Sequence, residues 1–314
     1  MKEFVHYSVM ARECIEALAI DPNGIYVDAT LGGGGHSSLI AEKLQNGLLI
    51  GIDQDRDAIA AASARLAPYG NRFKAVKSNF SALRSVMEEE GISAIDGILF
   101  DLGVSSFQLD EESRGFSYRF DAPLDMRMDR DNPLDAYQVV NTYSKEQLTE
   151  ILYRYGEERM SPRIAAAICR QREKAPIETT GQLVKIIEKV FPPKDRYGNK
   201  HPAKRSFQAL RIEVNGELRI LEQSIRDAVD LLKPGGRIAV MTFHSLEDRI
   251  VKNVFADLAT GCICDKNLPI CVCGRKPVIR QVTHKPITAA ENELAENNRS
   301  KPAKLRVAEK RSML

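Results

Sequence analysis

The stretch Asp28-Ala-Thr-Leu-Gly32-Gly33-Gly34-Gly35-His36 decides how this chain folds. It follows a short apolar run, Ile25-Tyr-Val-Asp28, that reads as a buried strand, and it precedes a helical pattern from Ser37 to Leu44. Glycines placed between a strand and a helix let the backbone pass close to a ligand and aim the helix N–H groups at it. Dinucleotide-binding proteins use the same device, so the glycines alone do not name the ligand.

The flanking residues narrow the choice. Asp53 ends the next strand, where a carboxylate can accept hydrogen bonds from ribose hydroxyls. That suits a nicotinamide dinucleotide and S-adenosylmethionine alike. Asp28, directly before the loop, discriminates between them. A carboxylate there repels a pyrophosphate and favours the ammonium and sulfonium charges of S-adenosylmethionine. The third glycine of the dinucleotide pattern is also replaced, by Ser37. A tight turn without a ligand would need no acid on either flank. The loop therefore points to S-adenosylmethionine, and an NAD-dependent oxidoreductase is the disfavoured reading.

Outward from the loop, strands alternate with helices. Residues 8–20 form an amphipathic helix, 48–53 a second strand, 55–66 a helix, 73–77 a third strand, 81–90 a helix and 95–101 a fourth strand. Alternation in units of this size predicts a parallel, doubly wound α/β sheet. It then stops. Residues ~106–200 hold helical patterns at 146–155, 161–174 and 180–190 and no convincing strand. A single long helix is expected over 207–232, closed by Lys233-Pro-Gly-Gly, then a strand over 237–243 and a helix over 248–258. Residues 278–284 and 304–308 could close the sheet as a hairpin. The expectation is a discontinuous Rossmann-like domain, 1–108 and 207–314, interrupted by a helical insertion at 109–206.

The composition, 43% hydrophobic and 28% charged, supports a sizeable core and no membrane insertion. The first residues lack the basic-then-apolar layout of a signal peptide, so a cytoplasmic location is expected. Net charge is only +2. Local charge says more. Six Lys/Arg stand against one Glu in 299–311, and Lys194, Arg196, Lys200, Lys204, Arg205 and Arg211 stand against Asp195 in 194–211. Such segments attract phosphates, although most charge runs are solvated faces.

Several longer segments carry a resemblance to a known family. They include Tyr26-Val-Asp-Ala-Thr-Leu-Gly-Gly-Gly-Gly-His-Ser37, Phe100-Asp-Leu-Gly-Val-Ser-Ser106 and Arg114-Gly-Phe-Ser-Tyr118. Asp121-Ala-Pro-Leu-Asp-Met-Arg-Met-Asp129, His201-Pro-Ala-Lys-Arg205 and Thr242-Phe-His-Ser-Leu-Glu-Asp-Arg249 belong with them. In these the chain resembles, nearly end to end, the bacterial small-subunit rRNA cytosine-N4 methyltransferases, the RsmH or MraW family. The resemblance implies a class I methyltransferase fold and methylation of a cytidine amine in the decoding region of 16S rRNA. It implies cofactor contacts by Gly34, Gly35, His36, Asp53, Phe80, Asp101 and Gln108, to which the loop chemistry adds Asp28. The partner would be 16S rRNA, within a small ribosomal subunit. The sequence sets no oligomeric state, and a homodimer is compatible with it.

The physical reading supports several of these assignments. Asp101 ends the fourth strand and should reach the crevice at the carboxyl edge of the sheet. Phe80 follows the third strand, where an aromatic ring could pack against adenine or simply belong to the core. His36, at a helix start, is better placed to meet the cofactor than to act as a base, and no catalytic base is assigned. The slot after Asp101 reads Leu-Gly-Val-Ser-Ser, without the proline-rich motif of many amino methyltransferases.

For the substrate, Phe116, Tyr118 and Phe120 alternate with Arg114 and Arg119 nearby, a mixture that could stack a base and hold phosphates. Lys204, Gln208 and Arg211 share one helical face, with Arg205 beside them. Finally, Cys262-x-Cys264 and Cys271-x-Cys273 could surround a zinc ion. Their single-residue spacing is tighter than the usual two to four. A reduced-thiol loop or a redox-sensitive pair is the expected state, and no metal is assigned.

Overall fold

The computed structural model describes residues 8–192, 201–265 and 270–312. Among these, the strands are β1 (Ile25–Asp28), β2 (Leu48–Asp53), β3 (Phe73–Lys77), β4 (Ile95–Asp101), β5 (Leu232–Thr242), β6 (Ile279–Gln281) and β7 (Lys304–Lys310). They form one sheet in the order β3-β2-β1-β4-β5-β7-β6. The first five run parallel, and β7 is antiparallel to both β5 and β6. The chain leaves β1 in one direction for β2 and β3, then returns to place β4 on the other side of β1. That reversal opens a crevice at the carboxyl ends of β1 and β4, the position at which open α/β sheets bind ligands.

The helices follow in chain order as α1 (Ala11–Leu18), α2 (Gly35–Lys43), α3 (Arg56–Leu66) and α4 (Leu83–Glu89). Next come α5 (Ser106–Asp110), α6 (Ala136–Thr142), α7 (Lys145–Gly156), α8 (Ser161–Arg172), α9 (Thr180–Val190) and α10 (Lys204–Asn215). The last are α11 (Glu217–Leu231), α12 (Ser245–Ala259) and α13 (Glu291–Glu296). None of them is long and apolar enough to cross a membrane.

Alternation along each strand sends successive side chains to opposite faces. Val27, Ile50, Ile52, Ile98, Phe100, Ile238 and Val240 pack on one face with Leu83 and Met87 of α4, Ile225 of α11 and Val251 of α12. Tyr26, Leu49, Leu99, Ala239, Met241 and Leu305 pack on the other with Leu18 of α1, Ile40 of α2 and Leu66 of α3. Both faces are therefore covered by helices. This is why these strands read as continuous apolar runs rather than as alternating ones.

The chain divides into two compact units, 1–103 with 218–314, and 104–217. The second unit is wider at both ends than the 109–206 span expected from sequence. Its core gathers Leu124, Met126, Val139, Leu152, Ile164, Leu183 and Phe207 from five helices and the loop before them. The expected long helix over 207–232 is two helices. Gly216 adopts φ +64° between α10 and α11, the left-handed conformation that ends a helix with least steric penalty in glycine. The Lys-Pro-Gly-Gly turn also differs from expectation. β4 pairs Ile95 with Leu232 and then Gly97 with Arg237, so residues 233–236 bulge out of a strand that has already begun. The hairpin between β6 and β7 is present.

Candidate active site

Three acids stand at the carboxyl edge of the sheet, on β1, β2 and β4, and the glycine loop joins them. The backbone N–H of Ala29 donates to the Leu99 carbonyl and that of Leu31 to the Ile52 carbonyl, each at 2.9 Å, so the loop extends the strand ladder on both sides. Gly32 N–H then donates to Asp53 Oδ2 at 2.8 Å, and Asp55 N–H to Asp53 Oδ1 at 2.9 Å. Asp53 thus fixes the start of the loop as well as ending β2. Burial pushes its carboxyl up to about 6, against the two backbone donors that favour its ionised form.

Gly34 caps α2 with φ +75° and no side-chain cap. The first N–H groups of a helix have no intrahelical acceptor, so a loop capped by glycine leaves them for a ligand. A Cβ at Gly34 would be strained by that φ and would lie 3.2 Å from both Ala62 and Leu66 of α3.

Asp28 differs from its expected role. It is only 1% exposed. Ser37 Oγ donates to its Oδ2 at 2.7 Å and Thr30 N–H to its Oδ1 at 3.2 Å. Asp28 braces the loop from behind, and any influence on a bound cation acts through its field rather than by contact. Burial raises its carboxyl above the usual range, opposed by the Ser37 hydroxyl. Ser37, noted in the sequence only as a missing glycine, is the residue that satisfies this acid. A serine nine positions after a strand-terminal aspartate is a weak signal without the loop geometry.

His36 lies under the loop. Its Nε2 donates to the Val9 carbonyl at 2.9 Å, and its Nδ1 is 3.4 Å from Asp101 Oδ2. Burial alone would lower its pKa. Hydrogen bonds to Asp101 and Cys14 outweigh that and hold it well above 6.5. With an acceptor facing each ring nitrogen, His36 is held toward its protonated form and orients Asp101. Asp101 keeps 28% of its side chain exposed, and its backbone N–H donates to Thr30 Oγ1 at 2.6 Å. Phe80, just past β3, packs edge-on against Phe100 with centroids 5.7 Å apart. Asp28, Gly34, Gly35, His36, Asp53, Phe80 and Asp101 all belong to the first unit. Gln108 belongs to the second, where its Oε1 accepts from Ser105 N–H at 3.0 Å in the capping box of α5.

The substrate candidates divide sharply. Arg114 is buried, donating from Nη2 to the carbonyls of Arg127 and Met128 at 2.9 and 3.1 Å. Phe116 is also buried, beneath the Arg114 guanidinium at 5.9 Å. Neither is placed to stack a base or hold a phosphate. They pin residues 126–128, where Met126 takes φ +59° and Asn215 clamps the Met126 carbonyl and the Met128 N–H. Arg211 is engaged as well, in a two-pronged ion pair with Glu217 at 2.8 and 2.9 Å. Gln208 donates to the Tyr155 carbonyl. Lys204 and Arg205, at the start of α10, are exposed. Tyr118 stacks on His201 at 4.5 Å. Lys194, Arg196 and Lys200 lie outside the described residues. In the C-terminal basic run, Lys304 and Arg306 pair with Asp248.

A family model described as the MraW methylase family matches residues 3–311. The chain belongs to the MraW methylase family. S-adenosylmethionine is the methyl donor of this methylase family. A relative from Clostridioides difficile, named ribosomal RNA small subunit methyltransferase H, is 54% identical over 309 residues, covering 98% of this chain and 99% of the relative. A relative of the same name from Carboxydothermus hydrogenoformans is 54% identical over 310 residues, covering 99% of each. A crystal structure titled as an rRNA methylase from Streptococcus thermophilus matches with TM-score 0.41 and 13% identity, covering 96% of this chain and 94% of that one. Family membership and the acid-flanked glycine loop agree on the methyl donor.

Proposed function

We propose that this protein transfers the methyl group of S-adenosylmethionine to the exocyclic N4 amine of a cytidine in the decoding region of 16S rRNA. The observation that carries the reading is the near-full-length identity to relatives named for small-subunit rRNA methylation. The site geometry supports the chemistry. Asp53 would accept from the ribose hydroxyls, the open first turn of α2 would meet the donor's carboxylate, and Asp101 lies at the crevice beside β1.

A cytosine amine is a poor nucleophile because its lone pair is delocalised into the ring. The protein's contribution is to hold the nitrogen in line with the methyl–sulfur bond. Such positioning supplies up to about 7–11 kcal/mol in well-oriented reactions. Asp101, fixed by His36, accepts a hydrogen bond from the amine and keeps its lone pair directed at the methyl group. The proton leaves to water after transfer, so no buried base is needed. Lys204 and Arg205 bind RNA phosphates, and the second unit is the substrate-recognition part.

The test is transfer of labelled methyl from S-adenosylmethionine into small ribosomal subunits, naked 16S rRNA and DNA, followed by nucleoside analysis. N4-methylcytidine in the ribosomal substrate is the expected product. Label found only in DNA, in protein or at another nucleoside position would overturn the assignment.

A further inference from the structure

The loop joining α12 to β6 carries chemistry that methyl transfer does not use. The sulfurs of Cys262, Cys264, Cys271 and Cys273 all lie within 4.8 Å of one another. Cys262 and Cys273 are 3.7 Å apart, Cys271 and Cys273 3.6 Å, and Cys264 and Cys271 4.0 Å. All four are free thiols. Four thiolates at about 2.3 Å from one tetrahedral ion lie about 3.8 Å from each other. The three measured edges fall on either side of that value.

Backbone N–H groups donate to the sulfurs: Val272 to Cys264 at 3.4 Å, Ile263 and Arg275 to Cys273, and Cys264 to Cys262. Donors of this kind stabilise thiolates and orient them toward a metal. The described apolar side chains of the loop are not buried. Ile263, Ile270 and Val272 are among the most exposed large apolar side chains described in the molecule. The loop's far end is tied down by Arg275 to Asp257 at 2.5 Å and by Val278 N–H to the Leu258 carbonyl at 2.8 Å. Side chains as exposed as these contribute little order, and a metal crosslink is another source of it.

We propose that Cys262, Cys264, Cys271 and Cys273 are the ligands of a structural zinc ion that folds this loop onto the end of α12. The single-residue spacing argued against a metal in the sequence, but it describes neighbours along the chain. The ligand set is closed by bringing the two pairs face to face. Four protein thiolates leave no open position for a substrate, so the ion is structural. Soft thiolate ligands select zinc or iron over magnesium and calcium.

The full chain, purified without a metal-binding tag from zinc-supplemented cells, should contain one zinc per chain by elemental mass spectrometry. Replacement by cobalt(II) should give the intense visible absorption of a tetrahedral tetrathiolate. Cys264→Ser with Cys271→Ser should abolish both signals, and Cys14→Ser with Cys169→Ser should leave them intact. If the first pair fails to fold, the zinc content and cobalt spectrum of the native chain decide the matter. A metal-free native protein whose four thiols react freely with a thiol reagent overturns the proposal. So do iron in place of zinc, a mass showing two disulfides, or zinc retained by the Cys264/Cys271 double variant.

Discussion

The hydroxyl of Ser37, in the first turn of α2, donates to the buried carboxylate of Asp28 at the end of β1, at 2.7 Å. This bond ties the two ends of the glycine loop together. It also satisfies an acid that would otherwise face an apolar interior.

Ser37→Ala leaves one oxygen of Asp28 without its donor. An unsatisfied buried acceptor costs about 1–3 kcal/mol, so the melting temperature should fall. S-adenosylmethionine affinity should fall with it, because the loop loses its brace. Asp28→Asn in the same background should restore part of the stability by removing the buried charge. Unchanged melting and unchanged calorimetric affinity in Ser37→Ala would show that the loop is held elsewhere.

Asp53 should make cofactor binding depend on pH. Its carboxyl is raised to about 6 in the folded protein. The ionised form is the better acceptor for ribose hydroxyls, so affinity should rise between pH 5 and 7 and flatten above. For folding the sign is opposite. A raised acid binds its proton in the folded state first, so its contribution to stability declines as pH rises from about 4 to about 6. Asp53→Asn should remove the pH dependence of binding at this step and weaken binding throughout. Isothermal titration across this range reads both effects.

His36 predicts a loss of stability on the alkaline side. Its folded pKa lies well above 6.5. The contribution is therefore complete below the unfolded value and is lost as pH rises through the folded one. Thermal melts of the native chain should decline over this interval relative to His36→Gln, which has no titrating ring. A parallel decline in both proteins would mean that the ring is neutral in the fold.

Basic residues of α10 should separate into two kinds. Lys204→Gln and Arg205→Gln should each lower the salt dependence of RNA binding by about one unit of slope while leaving the melting temperature unchanged. Arg211→Ala breaks a largely buried ion pair with Glu217 and should cost about 3 kcal/mol, the low end for such pairs. Arg114→Ala should also destabilise, through the carbonyls of Arg127 and Met128. If Arg211→Ala changed the salt slope and spared stability, the pairing with Glu217 would not hold in solution.

The sequence by itself determined the sheet. Ile25–Asp28, Leu48–Asp53, Phe73–Lys77 and Ile95–Asp101 form strands with the expected ends, because apolar runs bounded by turns and glycines are local signals. The acids closing three of them were legible for the same reason, since a residue at a strand's carboxyl end reaches the crevice whatever the rest of the chain does. Helix continuity was less legible. Gly216 looks like a tolerable interior glycine in the sequence, and only its left-handed backbone shows where α10 stops.

Tertiary structure decided what each polar side chain meets. Arg114, Phe116 and Arg211 sit in patterns that suit RNA, but burial and long-range partners turn them inward: Arg114 to carbonyls 13 and 14 residues away, and Phe116 into a core drawn from five helices. Asp28 likewise became a brace once Ser37 and Thr30 closed around it. The four cysteines show the same principle in reverse, since spacing argued against a shared ion and folding brought their sulfurs together. Periodicity and strand ends follow from backbone geometry, which is local. Partners and burial depend on segments far apart in the chain, and no local pattern contains them.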